Sequence, residues 1–474
     1  MLNSVCIYDL AGSAVDLARV LSKTVPKVFY YKGWQQGGFP TPNVHLVGTG
    51  IPGVTRVDDF EKMKRTEQID LYIFSDIYHG SLQEELQAQG KLVIGSRSAD
   101  KFEIYRDESR KLLKLVGLPV NAEYEEMRGI TALREFLKTH KDQYVKINKH
   151  RGLAETFRSI DYDLIELYLD NLQHMLGSHK EDKLFMVEGK YPAGMVEAGM
   201  DIYTADGKVP DIVMAGIEKK DLGYVCIVKP YIDFPECMRV VIDKLLPVFG
   251  EMGVRGPFSY EAKIGKELKP HVLDFTQRFG QPPGPLQWLM YKNLLDMLRA
   301  IADGVPMSPT GHKKYGIEIT IESEYAKKET LTVRIPKDVR DNVFLSNYRM
   351  IDGKDDLYYV VPQPEEIKEI GSVVAEGDTL EECKARIKEV CDKIEAFDID
   401  FSVDAIDDLD KEIEKLDEFG INFYKDEKPT TEEISEVQAE PLKTIENIIV
   451  EPEKPKVINQ LSPKVNKFLQ KIKA

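Results

Sequence analysis

"VLDFTQRFG", Val272 to Gly280, is a strand-like run of Val, Leu and Phe interrupted by Asp274, Thr276, Gln277 and Arg278. A buried strand tolerates such groups only when they are paired or bind something. Two readings fit the nonapeptide alone: an amphipathic edge strand with a solvated face, or a strand that presents polar groups to a ligand. The preceding stretch narrows the choice. In "SYEAKIGKELKPHVLDFTQRFG", Glu261 and Asp274 lie on successive strands joined by the turn-like "GKELKP", so in an antiparallel pair they can face each other. Facing like charges need a cation between them, and magnesium is a hard cation bound by one or two carboxylates together with phosphates and water. Arg278, four residues beyond Asp274, falls on the same face of an extended strand and can reach a phosphate or carboxylate; a structural salt bridge to one of the two acids is the plainer alternative.

The rest of the chain sets the frame. Its 474 residues are enough for two to four domains, and 42% hydrophobic content is ample for conventional cores. With 80 acidic against 64 basic side chains the net charge is -16, which argues against broad binding to nucleic acid or an anionic membrane. The N-terminus "MLNSVCIYDL" lacks a basic region followed by an apolar run, and no segment reaches the roughly 18 apolar residues of a membrane span, so a cytoplasmic protein is expected. Five scattered cysteines, without a CxxC pair, indicate neither a disulfide framework nor a cysteine zinc site.

Short apolar runs alternate with helical patterns over the first hundred residues ("SVCIYDL", "AVDLARVLSK", "KVFYY", "IDLYIFSD", "KLVIGS"), which predicts a parallel sheet with crossover helices. Gly12 and Ser13, in the turn after the first strand, form a candidate anion-receiving helix start, although no GxGxxG fingerprint is present. An α+β body follows, with a helix through "DKFEIYRDESRKLLKLVG" stopped by Gly117 and Pro119, and a hairpin around Asp206-Gly207. Strands return after residue 305 and end in the helix "TLEECKARIKEVCDKIEAF". The expected division is an N-terminal α/β domain over 1–100, a central domain over 101–305, a small α+β domain over 306–400 and an acidic, partly disordered tail over 401–474. For the basic closing stretch "SPKVNKFLQKIKA", a docking peptide for a protein partner and a solvated, fraying end both fit, the second better.

Further cations sharpen the picture. Lys146 in "YVKIN" is a charge inside a strand, Arg110 lies on the helix before Gly117, and Glu188 ends the strand "FMVE". Each alone reads as a snorkelling or solvated side chain. Taken in order with the turn "NKHRGLAET", they resemble the ATP-grasp superfamily, and within it the phosphoribosylamine-glycine ligases, from the first strand to about residue 400. "YVKINKHRGLAETF" is similar to that family's Val-Lys strand and phosphate loop, "VLDFTQRFGQPPGPLQ" to its acid-Phe-Asn-x-Arg-Phe-Gly-Asp-Pro strand, and "GDTLEECKARIKEVCDKI" to the opening of its last helix.

The resemblance implies an ATP-grasp fold, α/β and α+β, with an N-terminal parallel α/β domain and a small C-terminal α+β domain. It further implies ATP with magnesium or manganese, and small-molecule carboxylate and amine substrates joined through an acyl phosphate, and it leaves room for a homodimer. Arg110 and Lys146 would touch the ATP phosphates, Glu188 would sit at the adenine hinge, Glu197 near the ribose, and Glu261, Asp274 and Thr276 at the metals, with Arg278 on the transferred phosphate. Thr276 stands where the family has asparagine. The family's glycine-rich substrate loop has no counterpart in "GIEKKDLGYVCIVKPY", where Lys219 and Lys220 are candidates for an anionic substrate, and its Gly-Asp-Pro-Glu is here Gly-Gln-Pro-Pro. These departures fall on the acceptor side. A nucleotide-binding scaffold without turnover is the rival expectation.

Overall fold

The computed structural model describes residues 2–33, 44–121, 123–149, 156–219, 222–363, 367–403, 405–419, 421 and 461–473. The first sheet has five parallel strands, β1 (Ser4–Tyr8), β2 (Lys27–Tyr31), β3 (Val54–Val57), β4 (Leu71–Phe74) and β5 (Leu92–Ile94), in the order β3-β2-β1-β4-β5. Parallel strands are covered on both faces, so they read as unbroken apolar runs. Alternate residues feed two cores: Val5 and Ile7 enter the main cluster, while Cys6 packs with Phe29, Tyr72 and Phe74 on the other side. All five cysteines are free and buried. The strand order reverses at β1, where ligand crevices form in open α/β sheets, and the turn holding Gly12 and Ser13 follows directly.

A small antiparallel sheet comes next, β6 (Glu125–Arg128), β7 (Gln143–Ile147), β8 (Thr156–Ser159) and β9 (Leu184–Gly189), ordered β6-β9-β7-β8 and built around its own cluster with the helices Ile130–Thr139 and Tyr162–Leu176. The large sheet starts with β10 (Val196–Ala205), β11 (Ile212–Lys219), β12 (Gly223–Pro230), β13 (Arg255–Ile264) and β14 (Pro270–Thr276). It runs on through β15 (Tyr315–Glu322), since β12 pairs with β15 from Gly223↔Ile319 to Ile227↔Tyr315. One sheet therefore carries strands from both sides of residue 305. The remaining strands are β16 (Leu331–Arg334), β17 (Val343–Leu345), β18 (Tyr348–Met350), β19 (Leu357–Val360), β20 (Glu369–Gly377), β21 (Glu395–Ala396) and β22 (Asp400–Phe401). Of these, β20, β17 and β22 extend the large sheet, and the others form a second four-stranded sheet, β18-β19-β16-β21.

Local chemistry explains the boundaries. At the hairpin after β10, Asp206 and Gly207 both have positive φ, 50° and 76°, which is what a type I′ turn demands. The helix Leu380–Cys391 begins with a side-chain cap: the Thr379 hydroxyl accepts from the Glu382 amide at 3.2 Å, and the Glu382 carboxylate reaches back past the cap to accept from the Asp378 amide at 2.8 Å. The helix expected through residues 101–117 is interrupted at Tyr105, giving Lys101–Ile104 and Arg106–Leu115.

The closing segment differs from the expected solvated, fraying end. Residues Pro463–Lys473 form a helix whose Val465, Leu469 and Ile472 are buried, with Phe468 stacked on Phe102 at 6.3 Å between centroids and the Lys473 amine donating to the Glu251 carbonyl. Apolar residues at i, i+4 and i+7 make one stripe, and the lysines between them keep the other face wet. The acidic stretch after Val403 also folds in part, as the helix Ala405–Glu418 against β11 and β12, with Leu409 and Leu416 buried. Among the described residues no helix is long and apolar enough to cross a membrane.

Candidate functional site

Glu261 and Asp274 face each other across β13 and β14, and immediately beyond them the register slips, Ala262 pairing with Val272. Leu273 is the extra residue of a β-bulge, whose carbonyl is released from the ladder. Arg110 Nη2 donates to that oxygen at 2.6 Å and Lys146 Nζ at 3.1 Å. The bulge thus draws two cations from outside the sheet, one from the helix Arg106–Leu115 and one from β7, onto the edge strand that carries Asp274.

Lys146 Nζ reaches Asp274 Oδ2 at 2.5 Å, and Arg106 Nε lies 3.7 Å from Oδ1. Burial works to raise the Asp274 pKa, but Lys146, Arg106 and Arg110 outweigh it and hold the carboxyl down at about 2. Its side chain is still 39% exposed, so the ion cluster opens to solvent on one side. Arg106 was not singled out in the sequence; its signal is its place one turn before Arg110, on the same helix face. Arg110 itself is paired with Glu188 on β9, Nε to Oε1 at 2.6 Å, with side chains only 3% and 5% exposed. Burial disfavours the guanidinium, yet Glu188 and then Asp274 more than offset this and raise its pKa.

The acids form the opposite half. The Glu261 pKa rises to about 7 through burial first, then the nearby charges of Glu197 and Asp274, and Glu218 on β11 is hydrogen-bonded to it and raised by burial and by Glu261. Glu218 went unremarked in the sequence, hidden in "GIEKKD" beside more conspicuous lysines. Glu197 is held by Lys263 at 2.7 Å. Thr276, opposite Ser259 at the end of β14, lines a small cavity with Glu197, Glu218 and Glu261. A magnesium ion fits this donor set on one condition. Glu261 and Asp274 supply two opposed carboxylates and Thr276 a neutral hydroxyl, but among the described residues no three His, Cys, Asp or Glu side chains converge as a full protein cage would need. Phosphate oxygens and water would have to complete the shell, the usual state of magnesium at nucleotide sites.

Arg278 departs from the expected geometry. Strand β14 ends at Thr276, so Arg278 is not on the face of Asp274; its Nε binds Glu103 Oε1 at 2.9 Å and approaches Asp76 Oδ1 at 3.4 Å. The salt bridge imagined to Glu261 or Asp274 is made instead to acids from other elements. Arg278 lines a second cavity, of about 280 Å³, bounded by Ser13, Glu218, Glu318 and Glu369.

The glycine turn is also different. Gly12 has φ +82° and its amide donates to Asp9 Oδ1 at 2.8 Å, while the Ala14 amide donates to Oδ2, also at 2.8 Å, so an internal carboxylate occupies the expected anion-receiving position. Lys219 ends β11; Lys220, and residues 150–155 of the expected phosphate loop, lie outside the described residues.

No protein-family model matches the sequence, and no curated protein matches it. Solved structures do. The phosphoribosylamine-glycine ligase of Thermotoga maritima superposes with a TM-score of 0.63 at 14% identity, over 84% of this chain and 98% of that one. The chain has the ATP-grasp fold. Biotin carboxylase of Campylobacter jejuni, solved with an ATP analogue, gives 0.59 at 14% identity over 86% and 94% of the two chains. The biotin carboxylase domain of Hydrogenobacter thermophilus 2-oxoglutarate carboxylase, solved as a dimer with MgADP, ADP and bicarbonate, gives 0.61 at 11% identity over 90% and 100%. In the ATP-grasp fold of this chain, the cations of the site come from the small sheet and the helix Arg106–Leu115, and the acids from the large sheet.

Proposed function

We propose that the protein is an ATP-dependent ligase that joins a carboxylate to an amine through an acyl phosphate. The observation that carries this reading is the convergence of Lys146, Arg106 and Arg110 on Asp274, directly opposite Glu261, in an ATP-grasp fold. Catalysis of this kind consists mainly of positioning and of neutralising charge that develops on phosphate oxygens. Lys146 and Arg106 are placed to turn from Asp274 to a phosphate, and Glu261, Asp274 and Thr276 would hold magnesium, whose contribution is to screen the phosphate charge and orient it. Arg110 and Glu188, locked together, serve as a rigid wall by the hinge, and Glu197, restrained by Lys263, stands further along the same face.

Arg278, away from the acid pair, is assigned to the acceptor cavity rather than to the ATP phosphates. The products are the amide, ADP and phosphate, formed in the cytoplasm from small molecules, with a homodimer and a protein partner for the tail as subsidiary parts of the proposal.

A scaffold that binds nucleotide without turnover is the second reading, favoured by the ion pairs that already engage Arg110 and Lys146 and by the neutral Thr276. Magnesium-dependent ADP release from ATP, with pooled carboxylates and amines, separates the two. The ligase releases ADP only with both pools present, and Asp274→Asn abolishes the release. ATP binding by calorimetry with no release from the native protein would establish the scaffold.

A further inference from the structure

The 280 Å³ cavity lies where the turn after β1 meets the large sheet at its strands β11, β12, β15, β17 and β20. Its described lining includes four carboxylates, Asp76, Glu218, Glu318 and Glu369, and a single cation, Arg278, which Glu103 and Asp76 already hold. Glu318 is the telling residue. It is only 4% exposed, takes hydrogen bonds from the Ser372 hydroxyl and the Leu286 amide, and keeps Oε2 without a partner. A buried carboxylate oxygen lacking a donor is an incomplete site.

Three kinds of ligand can be weighed. A phosphorylated acceptor would meet four carboxyl groups and one arginine already held by acids, and the amides of Gly12 and Ala14 that could receive it are turned to Asp9. A bare divalent ion fails because no three ligating side chains among the described residues share a point. An extended organic cation satisfies the spread of carboxylates. We propose that the cavity binds a diamine or polyamine carrying no phosphate, one ammonium seated on Glu318 in the space that Glu369 also lines and the other nitrogen directed past Glu218 toward the acid pair.

Given the ligase reading above, the chemistry of the transfer calls for two nitrogens. An attacking amine must be neutral, so the charge that an acidic cavity recognises has to sit on a second group. Glu218 and Pro282 line both this cavity and the small one that holds Glu261 and Thr276, so the two spaces adjoin. In the transfer, the lone pair of the neutral nitrogen forms the C–N bond at the acyl carbon. The C–O bond to the phosphoryl group breaks, and phosphate leaves with that electron pair and the surplus proton of the nitrogen. The distant ammonium keeps its charge throughout. Burial pushes the unliganded Glu318 carboxyl up to about 8, in keeping with a group that lacks its countercharge.

Calorimetric titration with 1,4-diaminobutane, n-butylamine and glycerol phosphate tests this, on the native chain and on Glu318→Gln and Glu369→Gln, each checked for native circular dichroism. The expected result is diamine binding at least tenfold tighter than butylamine, with that preference lost in Glu318→Gln and weakened in the less buried Glu369→Gln. Binding of glycerol phosphate without the diamine, or equal diamine binding by both variants and the native chain, overturns the proposal. ATP is titrated separately: diamine binding without ATP binding would sink the ligase reading and leave the amine site standing, whereas ATP turnover with acceptors that exclude diamines would sink the amine site alone.

Discussion

Arg110 and Glu188 are almost wholly enclosed, and each is tolerable there chiefly because of the other. Removing one partner of such a pair leaves an uncompensated charge, a loss of about 3–5 kcal/mol, which is why Arg110 is better understood as a fixed strut than as a mobile phosphate ligand. Glu318 is the opposite case, a buried acid with no countercharge. Its unfolded pKa is near 4.5 and burial raises the folded value to about 8. The folded form therefore holds its proton over a pH range where the unfolded chain has released it. This costs nothing below about pH 4.5; as pH climbs toward 8 the cost grows, and above 8 it stays constant. Thermal melts of Glu318→Gln without ligand should match the native protein near pH 4.5 and exceed it by a margin that widens up to about pH 8. A margin independent of pH would show that the carboxyl titrates normally.

At the scale of elements, the hydrophobic periods were legible and the irregularities were not. Alternating strand and helix patterns announced the parallel sheet, Asp206-Gly207 announced its hairpin, and Glu261 and Asp274 do face each other as their spacing suggests. The bulge at Leu273 left no mark, because an apolar residue in a strand looks the same whether it is in or out of register. It is the end of β14 at Thr276, not that slip, that takes Arg278 off the face of Asp274, where a regular strand would have kept it. Its true partner Glu103 is 175 residues away, a distance at which one sequence carries no pairing signal. Arg106 could have been found from its helical spacing to Arg110. The closing helix Pro463–Lys473 was misread because basic residues outnumber its three buried anchors. Replacing Leu469 with Asp places a charge in that contact, and hydrogen exchange should show amides 463–473 losing protection while the large sheet keeps it. Unchanged protection would mean that the helix is held by something other than its apolar stripe.

Across the whole molecule, Asp16 joins parts far apart in the chain. On the first helix, it accepts from Arg340 Nη2 at 2.7 Å, the Tyr348 hydroxyl at 3.0 Å and the Leu345 amide at 2.6 Å, and it also pairs with Arg19. Burial opposes its charge, but Arg340 and Arg19 prevail and lower its pKa. Asp16→Asn should therefore loosen the first sheet from the C-terminal strands, lowering stability by about 3–5 kcal/mol. Scanning calorimetry should then resolve an early transition from the remainder, and a single unshifted peak would count against Asp16 as the joint.

Asp9 is tethered three residues from the Gly12 amide that it fills. It behaves as a competitor built into the chain, present at a local concentration that no dissolved anion can match. Any external phosphate or carboxylate seeking that turn must displace a group that never diffuses away, so the turn after β1 is selective by self-occupation: ligands that need its amides are excluded before their shape is tested.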